Sequence, residues 1–332
     1  MMKVQRELNR MSSLHPGDQL DHYRIDSLVA RSGMASIFRG TDLRNGRQVA
    51  IKVPHPEVES DPALYDRFRR EEEIGKTLDH PGVMKVFVDD DRSQVYMVME
   101  WVEGRLLRKL LDEQPKLRIE RAVRLTVRIL DALGYIHERG VAHRDLKPEN
   151  VMVAEDGAIK LIDFGIAASS KSKRLTFAKL SQTMGTPDYI SPEQVKGKRG
   201  DARSDLYALG VMLYEMLTGK VPFSGANPFL IMNDRLLNNP VPPREIDPAI
   251  SPQLQEIVYR ALERDPKNRY RNARDFAWDL EHQDKVGASD RQELYDWRNR
   301  RTPWPKRILF YVALALIPVV IFALLLYVAK HS

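Results

Sequence analysis

The chain has 332 residues, with 52 Lys and Arg against 46 Asp and Glu, for a formal charge of +6. That length suffices for one large or two ordinary domains around a sizeable core. It contains no cysteine, which excludes disulfides, thiolate metal sites and thiol redox chemistry. The positive excess gathers after Gly165 and just before the C-terminal segment, which points to phosphate and membrane electrostatics and away from nucleic acid.

Met1 to Leu14 is polar, lacks an apolar run and is therefore no secretory signal; a mobile leader is expected. Tyr23–Val29, Ile37–Asp42 and Gln48–Val53 are predicted strands, with Asn45-Gly46 turning between the last two. The first two are joined by Ala30-Arg31-Ser32-Gly33-Met34-Ala35-Ser36, a loop of mostly small residues. Lys52, near the end of the third, would place one flexible ammonium in a cleft. Asp66 to Leu78 is a predicted helix stopped by His80-Pro81. Its Glu71, Glu72 and Glu73 fall on different faces, so any one could be the carboxylate that meets Lys52. Val83–Asp89 and Gln94–Glu100 form two further predicted strands, and Ile119 to Arg139 carries apolar residues at helical spacing.

The next stretch holds the chemistry. His143-Arg144-Asp145-Leu146-Lys147-Pro148-Glu149-Asn150 leads into Val151-Met152-Val153, a turn at Asp156-Gly157, and then Ile159-Lys160-Leu161-Ile162-Asp163-Phe164-Gly165. Two short apolar runs around an Asp-Gly turn make a hairpin. It delivers Asp145, Lys147, Asn150 and Asp163 to one end, a group poorly suited to a core. They suit a site that holds a divalent metal and polyphosphate and takes a proton from a hydroxyl. Residues 166–183 are then rich in hydroxyls and bases, and Gly185-Thr186-Pro187-Asp188-Tyr189-Ile190-Ser191-Pro192-Glu193 follows. Asp205 to Thr218 is apolar almost all round, which marks a buried helix with Asp205 as its predicted N-terminal cap. Phe229–Asn238, Gln253–Leu262 and Asn272–Gln283 are predicted peripheral helices.

The segments from His143 to Gly165, Val49-Ala50-Ile51-Lys52 and Gly185 to Glu193, in this order, closely resemble those of bacterial members of the eukaryotic-type (Hanks-type) serine/threonine protein kinases. The resemblance covers roughly Tyr23 to Gln283. It implies an α+β, two-lobed protein-kinase fold with a small β-rich N-lobe over about 21–102 and a large helical C-lobe over about 103–283. It also implies ATP with magnesium or manganese, and proteins with Ser or Thr acceptors as substrates. Asp145 would accept the hydroxyl proton, Lys147 would neutralise the transferring phosphate, and Asn150 and Asp163 would hold the metal. Lys52 would hold the α- and β-phosphates and pair with Glu71. Val29, Ala30, Ser32, Gly33, Ile37, Ala50, Met99, Glu100 and Val102 would line the nucleotide site, with backbone groups of Glu100 and Val102 at adenine. Phosphate on Thr176, Ser181 or Thr183 would pair with Arg144, and Thr186 would bond to the catalytic loop. Glu193 would pair with Arg269, and Asp205 would also brace that loop.

One departure stands out: Ala30, Ser32 and Ala35 occupy the places of three family glycines. A positive φ, where required, would cost each about 1 kcal/mol relative to glycine, and weakened nucleotide binding is expected. Changing all three to glycine is expected to tighten it.

Ile308 to Ala329 is 22 residues without a charge. At about 1.5 Å per residue it spans roughly 33 Å, enough for one transmembrane helix. Five bases, Arg298, Arg300, Arg301, Lys306 and Arg307, precede it, and only Lys330 and His331 follow. Positive residues stay inside, so a cytoplasmic kinase domain on the inner membrane is expected, tethered by the basic linker 284–307 and leaving a short outer tail, 330–332. No outer sensor domain is expected, and self-association within the bilayer is plausible. The rival to a working kinase is a pseudokinase scaffold with weak or no transfer; a small-molecule kinase is the third reading.

Overall fold

The computed structural model describes residues 14–89, 91–163 and 187–288. The expected Thr176, Ser181, Thr183 and Thr186, and the apolar segment 308–329, lie outside the described residues. Among the described residues no helix is long and apolar enough to cross a membrane.

The small lobe is a six-stranded antiparallel sheet in the order β1-β2-β3-β4-β6-β5. Its strands are β1 (Gln19–Leu20), β2 (Tyr23–Arg31), β3 (Ala35–Asp42), β4 (Gln48–Pro54), β5 (Val86–Phe87) and β6 (Met97–Glu100). The period of two along β4 sorts its side chains. Val49, Ile51 and Val53 join Tyr23, Ile25, Phe38 and Val98 in one cluster, while Ala50 joins Phe68, Met97 and Met99 in another. Lys52 is in phase with Ala50 and shares the face that meets the helix.

Between β4 and β5 lie α1 (Pro56–Ser60) and α2 (Pro62–Thr77). α2 begins four residues earlier than its predicted start because Asp61 caps it, accepting the backbone N–H groups of Ala63 at 2.8 Å and Leu64 at 3.3 Å, with Pro62 at the first helical position. Near its other end Gly75 faces β5 so closely that a Cβ would collide with Val86 Cγ2. β5 and β6 are shorter than the strands predicted over 83–89 and 94–100, and the remaining residues there are irregular.

The large lobe opens with β7 (Arg105–Leu106), α3 (Leu107–Glu113) and α4 (Ile119–Glu138). Leu125, Ile129, Leu133 and Ile136 place the buried stripe of α4 on the main core, as their spacing requires. β8 (Val151–Val153) and β9 (Ile159–Leu161) form the predicted hairpin, and β7 completes a three-stranded sheet. α5 (Pro192–Val195), α6 (Ala202–Thr218), α7 (Pro228–Leu237), α8 (Pro243–Ile246), α9 (Pro252–Ala261) and α10 (Ala273–Glu281) follow. α6 is buried from Ser204 to Thr218. Its cap is Asp201 and not Asp205: Asp201 accepts the Arg203 backbone N–H at 2.9 Å, and its own N–H donates to Ser204 Oγ at 3.1 Å. Leu78 and Val83, although they lie between two small-lobe elements in sequence, pack into the large-lobe core.

Candidate active site

Lys52, Glu71 and Asp163 come from β4, α2 and the end of the β8–β9 hairpin, and they meet at one point. Lys52 Nζ donates to Glu71 Oε1 at 2.6 Å and to Asp163 Oδ1 at 2.8 Å. The three glutamates that the sequence left open are now distinguished. Glu71 meets Lys52; Glu72 is buried against Arg92 at 2.7 Å and Lys76 at 2.8 Å; Glu73 is exposed. Burial works against a charged Lys52, but the carboxylates of Asp163 and Glu71 outweigh it and raise its pKa. Burial pushes Asp163 up, and Lys52 more than offsets this to hold its carboxyl below the ordinary value. For Glu71 burial prevails and the pKa is raised. Asp163 is 39 % exposed at its side chain against 12 % for Lys52, so it is the member of the trio best placed to meet a ligand.

A second cluster forms within residues 145–150. Lys147 Nζ donates to Asp145 Oδ2 at 2.8 Å. Asn150, which is buried, donates its amide nitrogen to the Asp145 carbonyl at 2.7 Å and to Asp145 Oδ2 at 3.3 Å. With its nitrogen engaged there, Asn150 has its carbonyl oxygen left as a hard donor; together with the ionised Asp163 this is an oxygen set that fits magnesium. Asn150 and Asp163 are further linked through the backbone, since the Ile162 N–H donates to the Asn150 carbonyl at 3.0 Å.

Two site residues adopt a left-handed backbone, Arg144 at φ 64° and Asp163 at φ 50°. Non-glycine residues hold this region only where surrounding bonds fix them. Asp205 supplies those bonds for Arg144: it accepts the N–H groups of His143 at 2.8 Å and Arg144 at 2.7 Å, and lies 2.8 Å from His137 Nε2. Gln194 adds a bond from its side-chain amide to the Arg144 carbonyl at 2.9 Å, and Ser191 Oγ donates to that same Gln194 at 2.9 Å. The serine at 191 thus acts in the support of the loop. Burial and nearby Arg199 both lower the pKa of Arg144, so this guanidinium stands close to another cation.

The residues expected to line a nucleotide site fall where the sheet register puts them. Ile37 pairs with Lys52, Ala30 with Ile37, and Ala50 with Met99. Val29 is the extra residue of a bulge between Leu28 and Ala30. Met99 and Ala50 are buried, while Val102 is half-buried just beyond β6. The Glu100 N–H donates to the Lys85 carbonyl at 2.9 Å, and its side chain is held by Lys160. The predicted loop is shorter than expected, because β2 and β3 run to Arg31 and from Ala35 and leave a three-residue turn at Ser32, Gly33 and Met34. None of Ala30, Ser32, Gly33 and Ala35 has a positive φ, so the condition for backbone strain there is not met.

Residues 187–193 are held from two sides. Glu193 is paired with Arg269, Oε2 to Nη2 at 2.6 Å and Oε1 to Nη1 at 2.8 Å. Tyr189 donates to Glu215 at 2.6 Å, and Arg108 bonds to both. Arg235 is fully buried and donates to the carbonyls of Pro187 and Asp188, each at 2.6 Å. Sequence reasoning missed Arg235, because nothing near it in the chain signals a carbonyl partner 47 residues away.

Residues 23–277 match the family model described as a protein kinase domain. A probable serine/threonine-protein kinase of Streptomyces coelicolor is 40 % identical over 264 residues, covering 78 % of this chain and 39 % of the relative. The serine/threonine-protein kinase PknB of Mycobacterium tuberculosis is 35 % identical over 271 residues, covering 80 % and 43 %. The chain thus spans about two fifths of the length of these relatives. Among solved structures, the kinase domain of M. tuberculosis PknI matches with a TM-score of 0.64 at 26 % identity, covering 82 % of this chain and all of that domain.

Proposed function

Because the chain belongs to the bacterial, Hanks-type serine/threonine branch of the protein kinase family, we propose that it transfers the γ-phosphate of ATP to Ser and Thr hydroxyls of proteins. The observation that carries this reading is the Lys52–Glu71 ion pair at 2.6 Å, which places an ammonium beside Asp163. Lys52 orients the α- and β-phosphates. Asp145 takes the proton of the acceptor hydroxyl, and Lys147, already 2.8 Å from Asp145, balances charge on the transferring group. Asn150 and Asp163 would hold magnesium, which supplies charge neutralisation between the phosphates. Positioning and electrostatics provide the acceleration, since such a transfer needs little covalent chemistry from the protein.

The acceptors include the chain's own hydroxyls among Thr176, Ser181 and Thr183, with Arg144 receiving the phosphate. The apolar run 308–329 anchors the chain in the inner membrane, with residues 21–283 as the catalytic domain on the cytoplasmic side. Flanking charge and span length support this reading. Sedimentation of the full chain with membranes, resistant to high salt, is expected; a chain recovered in the soluble fraction refutes the anchor.

The test is transfer from labelled ATP by the detergent-solubilised chain, beside Asp163→Ala and Lys52→Ala. Label on protein, lost in both variants and mapped to residues 169–186, is expected. Absence of label in the unaltered chain favours the second reading, a scaffold with weak or no transfer, for which the altered turn at Ser32 is the supporting observation.

A further inference from the structure

The turn between β2 and β3 is closed by its own serine. Ser32 Oγ accepts the backbone N–H of Ala35 at 3.1 Å and that of Met34 at 3.3 Å, and it donates to the Ala35 carbonyl at 3.1 Å. The turn does not depend on that hydroxyl for its shape. The Ser32 N–H also donates to the Ala35 carbonyl at 2.9 Å, and the His55 N–H donates to the Met34 carbonyl at 2.9 Å. A second tie joins Ser36 Oγ to His55 Nε2 at 3.0 Å.

A turn that covers polyphosphate does so with backbone N–H groups that have no other partner, because the phosphate oxygens must be their acceptors. Here two amides of the turn already have one. We propose that the Ser32 hydroxyl competes internally with the nucleotide's phosphates for the amides of Met34 and Ala35, and thereby sets the ATP affinity of this chain. The inference rests on the kinase reading of the site and assigns the effect of the altered loop to one atom. Phosphate oxygens are charged and make the stronger bond, so ATP displaces the hydroxyl, but only after bonds of the same kind are given up. Backbone strain at Ala30 and Ala35 is not the cause, since neither residue has a positive φ, and the Ala35 side chain is only 1 % exposed.

Competition and crowding predict different mutants. If crowding by side chains limits affinity, Ala30→Gly and Ala35→Gly tighten ATP binding and Ser32→Ala does little. Competition predicts that Ser32→Ala suffices, since it removes the acceptor and retains a Cβ. The experiment is equilibrium binding of ATP, ADP and adenosine, with magnesium, to the full chain in detergent. The unaltered chain, Ser32→Ala, Ser32→Gly and Ala30→Gly are compared. We expect both Ser32 variants to bind ATP and ADP about fivefold more tightly, with adenosine affinity unchanged because it has no phosphate. Ala30→Gly should gain clearly less than either Ser32 variant. Equal or weaker ATP binding by Ser32→Ala overturns the proposal, as does an equal gain for adenosine, which would mark a general change in the pocket. Phosphate transfer measured on the same samples separates the two readings. Unchanged affinity with intact transfer defeats the competition alone, whereas tightened affinity without transfer defeats only the kinase reading.

Discussion

The carboxylate of Asp205 accepts the backbone N–H of Arg144 at 2.7 Å and so holds a non-glycine residue at φ 64° beside Asp145. The other oxygen of Asp205 takes the His143 N–H and faces His137. An asparagine has a single accepting oxygen and cannot serve both amides. Asp205→Asn is therefore expected to lower kcat by about 10- to 100-fold by displacing Asp145, with ATP affinity unchanged. Steady-state kinetics with separate nucleotide binding checks this. A fall in ATP affinity matching the fall in kcat would refute it.

Lys52 carries a charge that two carboxylates stabilise, so its removal should be severe. Lys52→Met is expected to lower transfer by about 100-fold or more. Glu71→Gln still accepts a hydrogen bond and should cost about tenfold. Labelled-ATP assays at saturating nucleotide rank the two, and a Glu71→Gln effect exceeding that of Lys52→Met would show the ranking to be wrong.

Arg235 offers two donors to two successive carbonyls, a geometry that a lysine cannot copy. Arg235→Lys should loosen Pro187 and Asp188 and raise the KM for a protein acceptor about tenfold, while leaving the KM for ATP unchanged. A variant that melts earlier but retains both KM values would reduce Arg235 to a structural role.

The Glu193–Arg269 pair gives a pH signature. Burial raises the Glu193 pKa, but Arg269 and Ser204 more than reverse this and bring it from the ordinary 4.5 to about 2. A carboxyl whose folded pKa is depressed stabilises the fold above its unfolded pKa, and that contribution is lost as the pH falls through the folded value. The advantage of the unaltered chain over Glu193→Gln, on the order of 3 kcal/mol, should be constant above pH 5 and shrink towards pH 2. Denaturant unfolding across that range measures it. A difference that does not change with pH would mean that Glu193 is not ionised in the fold.

These cases also mark what the sequence could reveal. Lys52 and the 151–161 hairpin were legible because strand alternation and an Asp-Gly turn are local signals. The helical pattern alone left Glu71 as one of three and only the family resemblance singled it out, since the helix start that sets its phase depends on Asp61 and Pro62, five and four residues before the predicted boundary. Asp201 and Asp205 stand one helical turn apart ahead of the same apolar run, and burial of Asp205 against the loop, which decides between them, is a tertiary fact. The replaced glycines were visible in the sequence, but the backbone conformation around them was not. The positive φ that would have cost these residues is not adopted, and the Ser32 hydroxyl bonds depend on a turn shorter than the one expected.

Leu78 and Val83 belong to the large-lobe core, although α2 ends just before them. One end of α2 is therefore a fulcrum fixed in the lower lobe, and the rest of the helix is a lever arm. Glu71 lies seven residues from Leu78, about 10 Å along the axis at 1.5 Å per residue. A tilt of about 10° about that fulcrum carries its carboxylate roughly 2 Å, enough to break a 2.6 Å bond to Lys52. Small angular displacements at the top of this helix thus become an on–off difference at the ammonium, without any change in the core that anchors it.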